Sequence, residues 1–151
     1  MAKIQPYFPY TRSRWRMINI TPVNTYQPAS CCCMMIVRDA AKTINQSLNS
    51  AIMSGLFNDI IIIYDTRTRD TTRTILDEYE RRNLVKVIPY TWERNDFAAA
   101  RNKALKFCQA QYGFWMDADD ILLDAEGIRS LLRFPGGCAY HFWVLSPIVD
   151  G

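Results

Sequence analysis

Two continuous apolar runs constrain the fold of this chain more than any other feature of its sequence. Residues 31–37 read CCCMMIV and residues 59–65 read DIIIIYD, and neither run alternates polar with apolar positions. Runs of this length and composition are typical of strands that are buried on both faces, as in the interior of a parallel sheet. A chain with such strands must also supply helices to cover the two faces.

Helical patterns separate the apolar runs. After the first run, apolar residues recur at every fourth position: Ile44, Leu48, Ile52 and Leu56. This period predicts a helix, and Gly55 marks its end. Further helices are predicted over 71–83, over 95–109 with Asn95 or Asp96 as the cap, and over 124–134. Further strands are predicted over 85–90, 112–116 and 138–145.

Strand and helix therefore alternate four times, which predicts an α/β fold with a mostly parallel sheet flanked by helices. We expect residues 31–151 to form this domain and residues 1–30, which carry four prolines, to form an N-terminal extension. The extension contains a basic and aromatic segment, SRWRM, over residues 13–17. Such a segment can bind nucleic acid or anionic lipid, or pack on the domain or on a partner protein. With a net charge of only +3, no nucleic-acid partner is expected.

The five cysteines and the length of the apolar runs indicate where in the cell the protein is expected. Cys31, Cys32 and Cys33 are consecutive, and no cysteine pair has zinc spacing, so buried free thiols in a reducing compartment are expected. No apolar run approaches the roughly 20 residues that cross a bilayer. The expectation is a soluble, cytoplasmic protein, with peripheral contact to a membrane left open.

Acidic residues follow three of the predicted strands. Asp39 follows the first, Asp65 ends the second, and Asp117 and Asp119 follow the fourth. Ligands of open α/β sheets bind beyond the carboxyl ends of the strands, where these acids would meet. Two carboxylates there can hold a divalent cation such as Mg2+ or Mn2+, although a solvated turn or a helix cap also explains the pattern. Neither a GxxxxGK[ST] nor a GxGxxG loop is present, which argues against kinases and ordinary dinucleotide enzymes.

Four segments of the chain resemble family 2 glycosyltransferases, which have the nucleotide-sugar-binding α/β fold called GT-A. They follow the family's order over residues 31 to about 123: CCCMMIVRDAAKTINQSLNSA, DIIIIYDTRTRDTT, WERNDFAAARNKAL and YGFWMDADDIL. The resemblance implies a GT-A-like, Rossmann-like domain that is C-terminally short. It also implies metal-dependent transfer of a sugar from a nucleotide-diphosphate donor, with UDP-sugars expected first, to an unknown saccharide, lipid or protein acceptor.

The resemblance further implies a role for each acidic position. Asp39 and Asp65 would lie around the base, with Asp65 the better candidate for a base contact. Arg101 would face the donor nucleotide and offset the acidic charge. Asp117 would lie at the ribose or beside the metal, and Asp119 would coordinate the Mn2+ or Mg2+ that bridges the donor diphosphate.

The sequence departs from the family pattern in two ways. Arg67 and Arg69 stand where the family has glycine and threonine, and they would either reach phosphate or be solvated. Only about 30 residues follow Asp120, whereas the family's acceptor site and catalytic base lie in a longer region, so no catalytic residue is assigned. The alternative is a non-catalytic structural or interaction protein on a shortened glycosyltransferase fold.

The remaining polar and aromatic residues of the C-terminal part receive structural interpretations. Asp120 is expected to be a cap or a solvated carboxylate, and Asp124 and Glu126 are expected to be charges at a helix start. His141 is expected to lie in the core or at a sheet edge, and Trp115 and Trp143 in the core.

Overall fold

A computed structural model describes residues 29–93 and 96–132 of the chain. Strands and helices alternate throughout this part. The elements are β1 Cys31–Val37, α1 Ile44–Met53, β2 Asp59–Asp65, α2 Thr72–Arg81, β3 Lys86–Tyr90, α3 Phe97–Leu105, β4 Tyr112–Trp115 and α4 Ala125–Leu131. Among these residues no helix is long and apolar enough to cross a bilayer.

The four strands form one parallel sheet in the order β3-β2-β1-β4. β1 is central and pairs with β2 on one side, where Met34 opposes Ile61, and with β4 on the other, where Met34 opposes Trp115. The predicted α/β class with a parallel sheet is therefore confirmed.

Helices cover both faces of this sheet. On one face, Ile44 and Leu48 of α1 and Leu76 of α2 pack against β1 and β2. On the other face, Ala100 and Ala104 of α3 pack against the opposite side of the same strands. Successive residues of β1 and β2 point to opposite faces, and both faces are buried. Their sequences are therefore continuously apolar rather than alternating.

Two predicted boundaries differ in detail. The first helix ends at Met53 and not at Leu56, because Gly55 adopts a left-handed φ of +58° and Leu56 then turns into a separate apolar cluster with Cys31. The third helix ends at Leu105, before the predicted end at 109, and the Asp96 carboxylate caps its start by accepting from the Ala99 N–H. Asn95, the extension over 1–28, and the predicted strand 138–145 with His141 and Trp143 lie outside the described residues.

The consecutive cysteines lie in β1 and are buried free thiols, as expected. Burial raises the pKa of Cys31 to about 11 and that of Cys32 to about 12. These thiols therefore stay protonated at neutral pH and act as small apolar side chains.

The strand order changes direction at one place. From β1 the chain moves outward through β2 to β3, and it then returns to add β4 on the other side of β1. The carboxyl ends of β1 and β4 therefore lie side by side at a topological switch point. In open α/β sheets this topological switch point is where ligands bind.

β2 is an interior strand of the sheet, so truncating a core side chain in it should lower the free energy of unfolding substantially. Ile62 is completely buried between the sheet and the α1 and α2 helices, so Ile62→Ala should lower the free energy of unfolding by about 2–5 kcal/mol. The matched control is Met53→Ala, whose side chain is 85% exposed and which should change it by less than about 0.5 kcal/mol. Urea unfolding measures both, and equal effects would contradict the fold.

Candidate functional site

The acidic residues predicted at the strand ends all lie at the carboxyl edge of the sheet. Asp39 lies in the loop after β1, Asp65 is the last residue of β2, and Asp117 lies two positions after β4. Because all four strands are parallel, their carboxyl ends lie at the same edge. Asp117 therefore follows the strand on one side of β1, whereas Asp65 ends the strand on the other side.

Asp117 and Arg101 are brought together by β4 and α3. The guanidinium of Arg101 lies 3.7 Å from the Asp117 carboxylate and 5.6 Å from the centre of the Trp115 ring. Trp115 is partly exposed below this guanidinium, so the expectation that it lies in the core is wrong. β4 is an edge strand of the described sheet, which leaves one face of Trp115 open to Arg101.

The loop after Asp117 is a defined turn. The Asp120 carboxylate accepts from the Asp117 N–H at 2.9 Å, and the Asp120 N–H donates to the Asp117 carbonyl at 3.1 Å. Asp120 therefore closes a turn and does not cap a helix, because α4 begins at Ala125 with Asp124 as its cap. Asp124 caps α4 by accepting from the Gly127 N–H, and Glu126 lies in the first turn of that helix, as expected.

Two serines of α1 hold this loop, and the sequence analysis did not identify them. The buried Ser47 hydroxyl donates to the Asp117 carbonyl at 3.2 Å, and the Ser50 hydroxyl accepts from the Leu122 N–H at 3.0 Å. The sequence does carry one signal for Ser47, because it lies next to Leu48 on the apolar face of the predicted helix. A serine there needs a hydrogen-bond partner once it is buried.

Asp119 is different from its neighbours. Its carboxylate is exposed, and it makes no hydrogen bond or ion pair within residues 29–93 and 96–132. In the same part of the chain no three His, Cys, Asp or Glu side chains converge on a point. The protein thus offers one or two carboxylates, which fits a Mg2+ or Mn2+ ion whose other ligands are water and substrate phosphate. A closed structural site built only from protein ligands does not fit.

Asp65 is enclosed by arginine. Its side chain is 0% exposed, and Arg67 donates to it from the main-chain N–H at 2.9 Å, from Nε at 3.0 Å and from Nη2 at 2.7 Å. Arg38 contributes a second guanidinium at 3.7 Å. The hydrogen bonds from the Arg67 side chain, which outweigh the opposing effect of burial, hold the pKa of Asp65 below its usual value.

These contacts revise the interpretation of the two unusual arginines. The sequence analysis left Arg67 either on phosphate or in solvent, but its guanidinium pairs with Asp65 and also donates to the Trp92 carbonyl. Arg69 donates only its main-chain N–H, to the Asp39 carboxylate at 2.7 Å. The Arg67 contacts join the ends of β2 and β3.

The loop after β1 is also tied to the loop after β2. Asp39 has a left-handed φ of +48°, a conformation that aspartate tolerates better than most residues, and it accepts from Arg69. Asp70 accepts from the Ala41 N–H at 2.9 Å and from Thr72, and the hydrogen bonds of Thr72 are the first cause that lowers the pKa of Asp70. Asp39 and Asp70 therefore hold the loops after β1 and β2 together.

Comparisons with known proteins place these residues in a family. The profile of Glycosyl transferase family 2 matches residues 32–134 of the chain. A 40% identical stretch of 84 residues matches TuaG of Bacillus subtilis, named a putative teichuronic acid biosynthesis glycosyltransferase. A 32% identical stretch of 89 residues matches the SPbeta prophage-derived glycosyltransferase SunS of the same organism. These matches cover 54% and 59% of this chain but only 33% and 20% of the relatives.

Solved structures share the fold. S. aureus TarS 1–349 in complex with UDP superposes with a TM-score of 0.53 at 22% identity, covering 68% of this chain and 30% of TarS. The mannosyltransferase PcManGT of Pyrobaculum calidifontis, in complex with GDP-Man and Mn2+, superposes with a TM-score of 0.58 at 15% identity, covering 71% and 32%. At these identities the likeness establishes the fold, which confirms the expected GT-A class.

The paired carboxylate of Asp65 predicts a pH-dependent stability. Because its folded pKa is depressed, its ionised form stabilises the fold above the pKa of the unfolded chain, and this contribution is lost as the pH falls through the folded pKa. Asp65→Asn should therefore lower the free energy of unfolding by about 1–3 kcal/mol at pH 7. The cost should shrink as the pH falls below about 4.

Urea unfolding at several pH values measures this difference. The matched control is Asp119→Asn, which should change stability by less than about 0.5 kcal/mol because its carboxylate has no partner in the part of the chain that the structure describes. A cost for Asp65→Asn that stays constant from pH 7 to pH 3 would show that the ion pair does not stabilise the fold.

Proposed function

The chain belongs to glycosyl transferase family 2, and from this premise we propose that it binds a nucleotide-diphosphate sugar with a divalent cation for transfer of the sugar to an acceptor. The observation that carries the proposal is the acidic segment that follows β4 at the switch point beside β1. There Asp119, which is exposed and has no partner among the described residues, lies two residues from Asp117, which is itself paired with Arg101. A carboxylate that is held open at a ligand-binding edge suits a cation that arrives with its substrate.

The charges of Asp117, Asp119 and Arg101 suit a metal-bound diphosphate. Asp119, with Asp117 beside it, would hold Mn2+ or Mg2+ through oxygen ligands. When bound, such an ion acts as a Lewis acid that neutralises charge on the leaving nucleoside diphosphate. Arg101 reduces the repulsion between the two carboxylates and is partly exposed beside Asp117, so it would also attract the phosphates.

Other residues hold the loops around this position in place. Ser47 and Ser50 fix the main chain of the 117–122 loop, so the two carboxylates do not have to be positioned when the donor binds. Asp39 fixes the opposite loop through Arg69. In our proposal Asp39 lies near the base of the nucleotide and Asp117 lies at the ribose.

The nature of the donor follows by comparison. TarS was solved with UDP and PcManGT with GDP-Man and Mn2+, so we propose a uridine or guanosine nucleotide, with UDP-sugars first. Residues 31–151 would form the donor-binding unit, with residues 1–30 as an extension that could contact a partner protein. The acceptor, whether saccharide, lipid or protein, and the catalytic base are not assigned, and this chain spans a third or less of the matched relatives.

The proposal predicts metal-dependent nucleotide binding. In isothermal titration calorimetry, UDP or GDP should bind more tightly with Mn2+ than without it. Asp119→Asn should weaken the Mn2+-dependent binding at least about tenfold, since it removes a charged ligand. Arg101→Met should weaken it as well.

The matched control is Asp59→Asn, the same change at an exposed acid that begins β2 at the opposite edge of the sheet. It should leave binding unchanged. If neither nucleotide binds in the presence of Mn2+ or Mg2+, the glycosyltransferase proposal fails and the non-catalytic interaction protein becomes the better hypothesis.

A further inference from the structure

Arg67 keeps part of its hydrogen-bonding capacity free. A guanidinium has five N–H donors, and Arg67 uses Nε and Nη2 on Asp65 and Nη2 again on the Trp92 carbonyl. Within the described residues the Nη1 amino group has no partner, and Glu93 attracts Arg67 by charge without forming an ion pair. The Arg67 side chain is 40% exposed, so this amino group can be reached from solvent.

Asp65, in contrast, has nothing left to offer a ligand. Its two oxygens accept three hydrogen bonds from Arg67, and Arg38 approaches one of them. With 0% exposure, the carboxylate cannot accept a hydrogen bond from a bound molecule unless Arg67 moves away. At the end of β2 the Asp65 carboxylate is therefore not available to a ligand, whereas the Nη1 group of Arg67 is.

The end of β2 also lies at a suitable distance from the proposed metal position. β2 and β4 flank β1, and neighbouring strands lie about 4.8 Å apart, so their ends are about 10 Å apart. A nucleotide with its diphosphate at Asp117 and Asp119 would cross the end of β1 and bring its base to the end of β2. Arg67 and Arg38 are partly exposed at that point. Two acids lie beside them: Asp39, which pairs with Arg38, and Glu93, which attracts Arg67.

We infer that Arg67 contacts the base of the donor nucleotide through its Nη1 donors, and that Asp65 is the positioning residue that holds this guanidinium. The inference rests on the proposed function and changes the role given to Asp65. The group bound would be a carbonyl oxygen, which accepts hydrogen bonds, and not a ring N–H, which would need the occupied carboxylate. Phosphate oxygens share this acceptor chemistry, so the test must separate the two sources.

The test compares two probes on the full chain in the presence of Mn2+: UDP, which has a base, and inorganic pyrophosphate, which has none. Arg67→Met should weaken UDP binding about tenfold, the effect of losing one charge-assisted hydrogen bond, and leave pyrophosphate binding unchanged. Arg69→Met is the matched control, because it removes the same charge from the same loop but a side chain with no described contact. It should alter neither affinity.

Two further variants separate positioning from folding. Arg67→Lys keeps the charge beside Asp65 but lacks the forked donors, and it should lose UDP affinity even if Arg67→Met does not fold. Asp65→Asn should also weaken UDP binding and not pyrophosphate binding, because it releases the guanidinium. Thermal melting of each variant shows whether it is folded.

The outcomes distinguish the inference from the proposed function. Equal losses of UDP and pyrophosphate affinity in Arg67→Met would place the guanidinium on phosphate and overturn the base contact. Unchanged UDP binding in folded Arg67→Met or Arg67→Lys would overturn the inference while leaving the proposed function intact. An unaltered chain that binds neither UDP nor GDP with Mn2+ would overturn both.

Discussion

The central strand β1 is the constraint on which the rest of the structure depends. It pairs with β2 and β4 and is buried on both faces, so its residues divide between the two helical layers. Its place in the middle also creates the switch point, because the chain leaves it in one direction and returns on the other side. The hydrophobic burial that stabilises the sheet therefore also determines where a ligand can approach its carboxyl edge.

The acids at this edge are stabilised in three different ways. Asp65 is buried, and a buried carboxylate is tolerated because Arg67 surrounds it with charged donors. Asp117 is exposed and shares its charge with Arg101. Asp119 is solvated and unpaired within the described residues. These differences separate a buried, paired carboxylate from an exposed one without a described partner, although all of them follow strand ends in the sequence.

The sequence predicted the fold well because apolar patterning is a local signal that tertiary packing reinforces. β1 and β2 were found with their observed bounds, since a run of buried residues has the same composition wherever it occurs. The acids were placed at the correct edge for the same reason. Arg101 was expected to offset the acidic charge, and it pairs with Asp117. The partner of Asp65 was not found, because its pairing with Arg67 depends on the turn that follows β2. Trp115 was assigned to the core because nothing in its sequence neighbourhood shows that β4 is an edge of the described sheet.

The serines of α1 show how the core and the loop after β4 are linked. Ser47 lies on the buried face of a helix that packs on β1, and its hydroxyl reaches the main chain at Asp117. Replacing water with this contact fixes the loop before a ligand arrives, which lowers the entropy cost of binding. The position of the loop then depends on how α1 sits on the sheet, so a packing change under Ile44 or Leu48 would displace the carboxylates without touching them. Core residues of this chain are therefore also residues that shape its site.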